Sequence, residues 1–397
     1  MNFPASQADS APFWYDARHV TSIHATYRKH LIPYWNPTSA HAGTLRSKIR
    51  TMGTRAVHFV GSFPAESTAT AMQAMLDTSG PLLRTLPTGE TRRYEFYVKP
   101  IIEDLVAQGA LESKKAGEWN TSRQRPIYRP ARGRRLTADL MDLGYLHEAE
   151  EALPVFLAAR ERHGLPGLTL QIGMPTDFTL AFIAMGLSGL LRHRKAFTEA
   201  ALRDIAAIQQ LTGGDVVIQL EATAELVLLA QAQPLHRLVN RMVGSSKRIA
   251  AFAAAAPAGT RFGVHMCVGS LHNKSRATLR DARPIVYFAN CLARQWPSDR
   301  PLEFIHAPFA AGDKPPSTES TFYAPLSGLK LREGTRFYAG LVHDIPTEAA
   351  QFQTLRQIEH ALGRPVDGVA TACGLGRRAR PIADTLMARA ARLAERA

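Results

Sequence analysis

From about residue 55 onward, short apolar runs alternate with long amphipathic segments. The runs are AVHFVG (56–61), LLRTLP (82–87), LTLQIG (168–173), DVVIQL (215–220), RFGVHM (261–266), LEFIH (302–306), FYAGLV (337–342) and VDGVAT (366–371). They are short, often β-branched and nearly continuous in apolar character, as expected of strands buried on both faces. Between them apolar residues recur three and four apart, as in EAALRDIAAIQQL (199–211), which is the helical period. The segment PTEAAQFQTLRQIEHALG opens on Pro346 and closes on Gly363, the punctuation of a helix. Eight strands alternating with helices predict an α/β fold, a (β/α)8 TIM barrel. A doubly wound open sheet is the competitor, and the count of eight favours closure. Residues 1–54 lack periodicity and read as an N-terminal extension packed on a barrel of residues 55–397. Residues 108–165, after the second strand, are too long for a simple crossover and read as a helical insertion.

Composition narrows the classes. Hydrophobic residues make up 45% of the 397, enough for a large core. No charge-free apolar run is long enough to span a membrane, and the amino terminus lacks the pattern of a secretory signal. Three cysteines make no disulfide framework and point to a reducing, cytoplasmic setting. The formal net charge of +14 favours anionic small-molecule partners. The densest basic cluster, SRQRPIYRPARGRR (122–135), mixes arginine with proline and tyrosine and reads as a solvated insertion. No nucleic-acid-binding motif accompanies it, so nucleic acid is not an expected partner.

In such barrels the chemistry sits at the carboxyl ends of the strands. The polar residues there are Ser62, Glu90, Gln219 with Glu221, His265 with Cys267, His306, His343 and Cys373. His265 and Cys267, two apart, leave a strand on the same face. Zinc takes nitrogen, sulfur and carboxylate ligands, so His265, Cys267, His306 and Cys373 form a candidate set across the barrel mouth. Their types suggest it; no CxxC or HExxH spacing does. The competing reading makes Cys267 and Cys373 small buried core residues, as Cys291 is expected to be in its amphipathic helix.

The succession VGSFP (60–64), PTGE (87–90), IQLEATAEL (218–226), HMCVGS (265–270), a histidine-ended sixth strand and ACGLGRR (372–378) resembles the C-terminal catalytic barrel of cobalamin-independent methionine synthase and its smaller single-barrel relatives. The order matches from about residue 56 to 378; the duplicated N-terminal barrel of the full-length synthase is absent. The resemblance implies a zinc held by His, Cys, Glu and Cys. His265, Cys267 and Cys373 match three of these, and His306 stands at the glutamate position. It also implies an amino-acid thiol bound by Gly61, Ser62, Glu90 and Glu221, with Gln219 beside them on the rim. Ala222 and Thr223 replace the glutamate and proline that follow the family's acidic residue. The family's Asp-x-His-Ser segment is GLVHDIP here. His343 falls at its aspartate position and Ile345 at its histidine position, making His343 the candidate catalytic proton donor. The implied activity is a zinc-dependent transfer of a methyl or other alkyl group to or from a thiol, with a methylated folate as candidate donor. The alternatives are a metal-independent lyase, decarboxylase or demethylase on the same barrel, and a non-enzymatic role in which the arginine-rich insertion holds an anion or nucleic acid.

Overall fold

The computed structural model describes residues 55–119 and 124–396. The expected N-terminal extension, residues 1–54, lies outside them. Eight parallel strands make the central sheet: β1 (Ala56–His58), β2 (Thr85–Pro87), β5 (Thr169–Pro175), β6 (Val216–Ala222), β7 (Arg261–Met266), β8 (Leu302–Pro308), β9 (Arg336–Val342) and β10 (Gly368–Thr371). They pair in the order β1-β10-β9-β8-β7-β6-β5-β2. A single parallel bridge, Val57 to Leu83, brings the first strand beside the second. The sheet is therefore a nearly closed TIM-type barrel, and each expected apolar run contributes one strand. Strands β5, β6 and β8 run past their apolar stretches. The added or inward polar residues Gln171, Gln219, Glu221 and His306 are as buried as their apolar neighbours.

The expected helical insertion is helical only in its second half. Residues 108–165 begin with an antiparallel hairpin, β3 (Leu111–Lys115) paired with β4 (Ile127–Pro130), before the helix Tyr145–Arg162. The hairpin carries little apolar patterning because most of β3 is exposed. The helix Glu348–Leu362 has Thr347 as its cap, whose hydroxyl accepts from the Ala350 N–H at 3.2 Å. Pro346 thus stands just before the cap and not inside the first turn. Gly363, at φ +73°, ends the helix in the left-handed conformation that glycine tolerates.

Inside the barrel, Ala56, Val217, Phe304 and Tyr338 form a small apolar plug. Phe304 fills the space beside Gly263, where an added Cβ would stand 2.1 Å from the ring. Gly263→Ala is expected to lower stability by about 1–3 kcal/mol, the usual cost of overpacking a filled core, read as a shift in the urea midpoint. An unchanged midpoint would show that the ring moves freely. Among the described residues, no helix is long and apolar enough to cross a membrane.

Candidate metal centre and its pocket

The carboxyl ends of the strands open on a cavity of about 390 Å³. Strand register sets its floor. Glu221 on β6 pairs with His265 on β7, and His265 pairs with His306 on β8, so three chemistry-bearing residues stand at one level. Cys267 follows β7 two residues after His265. Cys373 follows β10 across the mouth. The two sulfurs lie 3.7 Å apart, and one ligand atom each from His265, Cys267 and Cys373 falls within 4.8 Å of the others.

This trio fits a thiophilic ion. Two sulfurs bound to one tetrahedral zinc at about 2.3 Å each would stand about 3.8 Å apart. The His265 Nε2 atom is buried and has no hydrogen-bond partner, so one nitrogen is left over where a ligand is needed. The thiols differ in acidity. The hydrogen bond from the Cys267 thiol holds Cys373 well below the ordinary thiol range, and the same contact pushes Cys267 well above it. Ser270 Oγ lies 3.1 Å from the Cys373 sulfur, and the Gly269 N–H donates to the Cys267 sulfur at 3.3 Å.

His306, expected as a fourth ligand, stands behind His265 and not beside the sulfurs. Its Nδ1 is 2.7 Å from His265 Nδ1, and its Nε2 donates to the Thr371 carbonyl at 3.0 Å. Both ring nitrogens are thus engaged with protein.

A buried acid pair forms the second feature. Glu90 and Glu221 each bring Oε1 to 2.8 Å from the Cβ position that Gly173 lacks. Burial pushes Glu90 up to about 7, against the pull of the Arg93 guanidinium. Burial, helped by the charge of Glu90, pushes Glu221 up to about 8. Arg93 stands 3.5 Å from Glu90 and 3.1 Å from Glu148, and donates to the Gly173 carbonyl at 3.0 Å. Glu90 adopts φ +52°, a conformation disfavoured for a side chain of its size. A Cβ on Gly61 would meet its Oε1 at 2.3 Å. The Gly61–Ser62 turn therefore has glycine because a carboxylate rests on it. Ser62 lines the cavity, and its Oγ accepts the Gly376 N–H at 3.4 Å.

Besides His306, three expected site residues, Gly61, Gln219 and His343, do not line the cavity. Gln219 lies beneath it as a strut: its amide donates to the Val60 carbonyl at 2.6 Å and to Glu221 at 3.3 Å, and its oxygen meets His58 Nε2 at 3.1 Å. His343 is enclosed after β9. Its Nδ1 faces Asp344 at 3.0 Å and accepts from the Ile345 N–H at 3.2 Å, while Gln351 bonds its backbone on both sides. The His343 side chain, expected as the proton donor, is buried and does not line the cavity.

Other lining residues carry no local signal in the sequence. Phe96, Trp119, Phe182, Val227 and Leu228 form apolar walls and look like core residues until the fold is known. Arg125 is stacked on Phe182, with its guanidinium 5.3 Å from the ring centroid. Arg377, the first arginine of ACGLGRR, also lines the cavity and donates to Ser270 Oγ at 2.8 Å.

No protein-family model matches the sequence, and no curated protein matches it. Among solved structures, a B12-independent methionine synthase from Shewanella sp. W3-18-1, in complex with selenomethionine, is similar with a TM-score of 0.52 at 13% identity. The alignment covers 86% of this chain and 97% of that one. A methyltransferase from Methanosarcina mazei is similar with a TM-score of 0.51 at 18% identity, covering 85% of this chain and 93% of that one. Both likenesses are likenesses of fold.

Proposed function

We propose that this chain is a zinc-dependent transferase that moves a methyl or other alkyl group to or from a small-molecule thiol. The observation that carries the proposal is the trio itself: two sulfurs 3.7 Å apart and an unpartnered, buried imidazole nitrogen on the same cavity floor. His265, Cys267 and Cys373 would hold the ion. Zinc, when bound, supplies the Lewis acidity that turns a coordinating thiol, with an ordinary pKa of about 8.5, into a thiolate at neutral pH.

The chain's own residues do the rest. Glu90 and Glu221 present two carboxyl groups to one side of the floor, suited to the ammonium group of an amino-acid thiol. The apolar walls exclude water and hold the two reactants in a fixed orientation, which removes much of the entropic cost of their encounter. Arg125 and Arg276 on the wall suit an anionic donor such as a methylated folate. The fold-level likeness to two methyl-transfer enzymes supports this reading. Selenomethionine, the ligand of one of them, carries both an ammonium group and a methylated chalcogen. These are the two features that the acid pair and the thiols would meet.

Purified, reduced protein is expected to contain about one zinc per chain by elemental analysis. Methylation of homocysteine by methyltetrahydrofolate, the first pair to assay, should stop on chelation and return with added zinc. Protein that neither retains nor takes up zinc would remove the proposal.

A further inference from the structure

A neutral imidazole carries its proton on one nitrogen and a lone pair on the other, and a hydrogen bond at one atom decides the state of the other. The Thr371 carbonyl can only accept, so His306 Nε2 must carry the proton in their 3.0 Å contact. His306 is fully buried, where a neutral ring is the affordable form. Its Nδ1 therefore holds a lone pair. The 2.7 Å approach of the two Nδ1 atoms needs one proton between them, and that proton has to come from His265. It follows that a neutral His265 ring is protonated at Nδ1 and bare at Nε2, the atom that makes no hydrogen bond of ordinary geometry. Gly340 makes the arrangement possible, since a Cβ there would stand 2.6 Å from His306 Nε2.

We infer that His306 is a positioning residue: the relay from the Thr371 carbonyl through His306 fixes His265 in the tautomer that offers Nε2 to the cavity beside Cys267 and Cys373. The inference about the tautomer stands on the hydrogen bonds alone; its meaning for metal binding rests on the function proposed above. With His306 occupied behind His265, three of the described residues, His265, Cys267 and Cys373, would hold the ion, leaving room for a ligand from the cavity. Three protein ligands with one open position are the usual arrangement of catalytic zinc, and histidine ligands are regularly oriented by a hydrogen bond from behind.

The test uses the whole chain, reduced and stripped of metal, with ring nitrogens observed by ¹⁵N–¹H correlation. His265 is expected to be protonated at Nδ1 in the wild type. In His306→Phe, which keeps bulk but accepts no hydrogen bond, the proton should move to Nε2. Zinc affinity, measured by chelator competition, should fall about 10- to 100-fold. His306→Gln, whose amide both donates and accepts, should recover most of that loss. If the phenylalanine variant does not fold, the wild-type spectrum alone decides. His265 protonated at Nε2 in the wild type would overturn the inference, as would X-ray absorption of the zinc-loaded protein showing two imidazoles on the metal. A wild type with the expected tautomer and no zinc affinity would uphold the relay and instead remove the proposed function.

Discussion

Replacing Cys373 by serine is expected to lower zinc affinity at least a hundredfold while shifting the stability of the metal-free protein by no more than about 1 kcal/mol. Zinc bound by a full set of protein ligands gains on the order of 10–16 kcal/mol. Spread over three or four donors, each is worth on the order of 3 kcal/mol, about two powers of ten in affinity. Serine keeps nearly the same shape, but its hydroxyl stays protonated and makes a poor ligand. Cys373 is only partly buried and follows the last barrel strand, so its removal opens no large core void. Cys291 supplies the control. It is buried within the helix Arg283–Gln295 and has Arg294 as its neighbour at 3.4 Å, outside the trio. Cys291→Ser should leave zinc binding unchanged and cost stability instead. Elemental analysis and chelator competition on the two variants decide the matter. If Cys373→Ser bound zinc as the wild type does, the sulfurs would be core filler after all.

The barrel was legible because its strands are buried on both faces, which writes each one as a nearly continuous apolar run. The hairpin β3–β4 was not, because a single residue of β3, Leu111, is fully buried and the lysines that follow look like loop. At the site, the pairing of His265 with Cys267 followed from the two-residue repeat of a strand. The residue types also placed Cys373 and Glu90 at the rim. What sequence could not convey is ring orientation. His306 sits at the right height on the right strand, yet spends both nitrogens on His265 and Thr371. His343 likewise follows a strand, but its side chain does not line the cavity. The dependence of Glu90 on Gly61 and Gly173 was also hidden, since a glycine required by a distant carboxylate looks like any other glycine.

The acid pair leads to the second large expectation: a ligand ammonium group should bind with release of protons near neutral pH, and Glu221→Gln should weaken that binding by about 10- to 100-fold, the worth of a hydrogen bond to a charged group. Burial pushes Glu90 up to about 7 and Glu221 up to about 8, against 4.5 for an ordinary glutamate. Between those values the folded state holds more protons than the unfolded one. Linkage then fixes the sign: the stabilisation from these groups is fully present below about 4.5 and is lost as pH rises toward 8. Glu225 and Asp204, also raised, to about 7 and about 6 by burial, add to the slope. The share of the pair is therefore read from how far Glu221→Gln flattens it. A cation placed between the two carboxylates reverses their shifts and expels the protons that burial had retained. Methionine or selenomethionine titrated by calorimetry at pH 7, in two buffers of different ionisation heat, should therefore report proton release. Affinity should rise between pH 6 and 8 in the wild type and much less in the variant. Binding without proton release, and with equal affinity in Glu221→Gln, would mean that the carboxyl pair holds the barrel mouth together and does not meet the ligand.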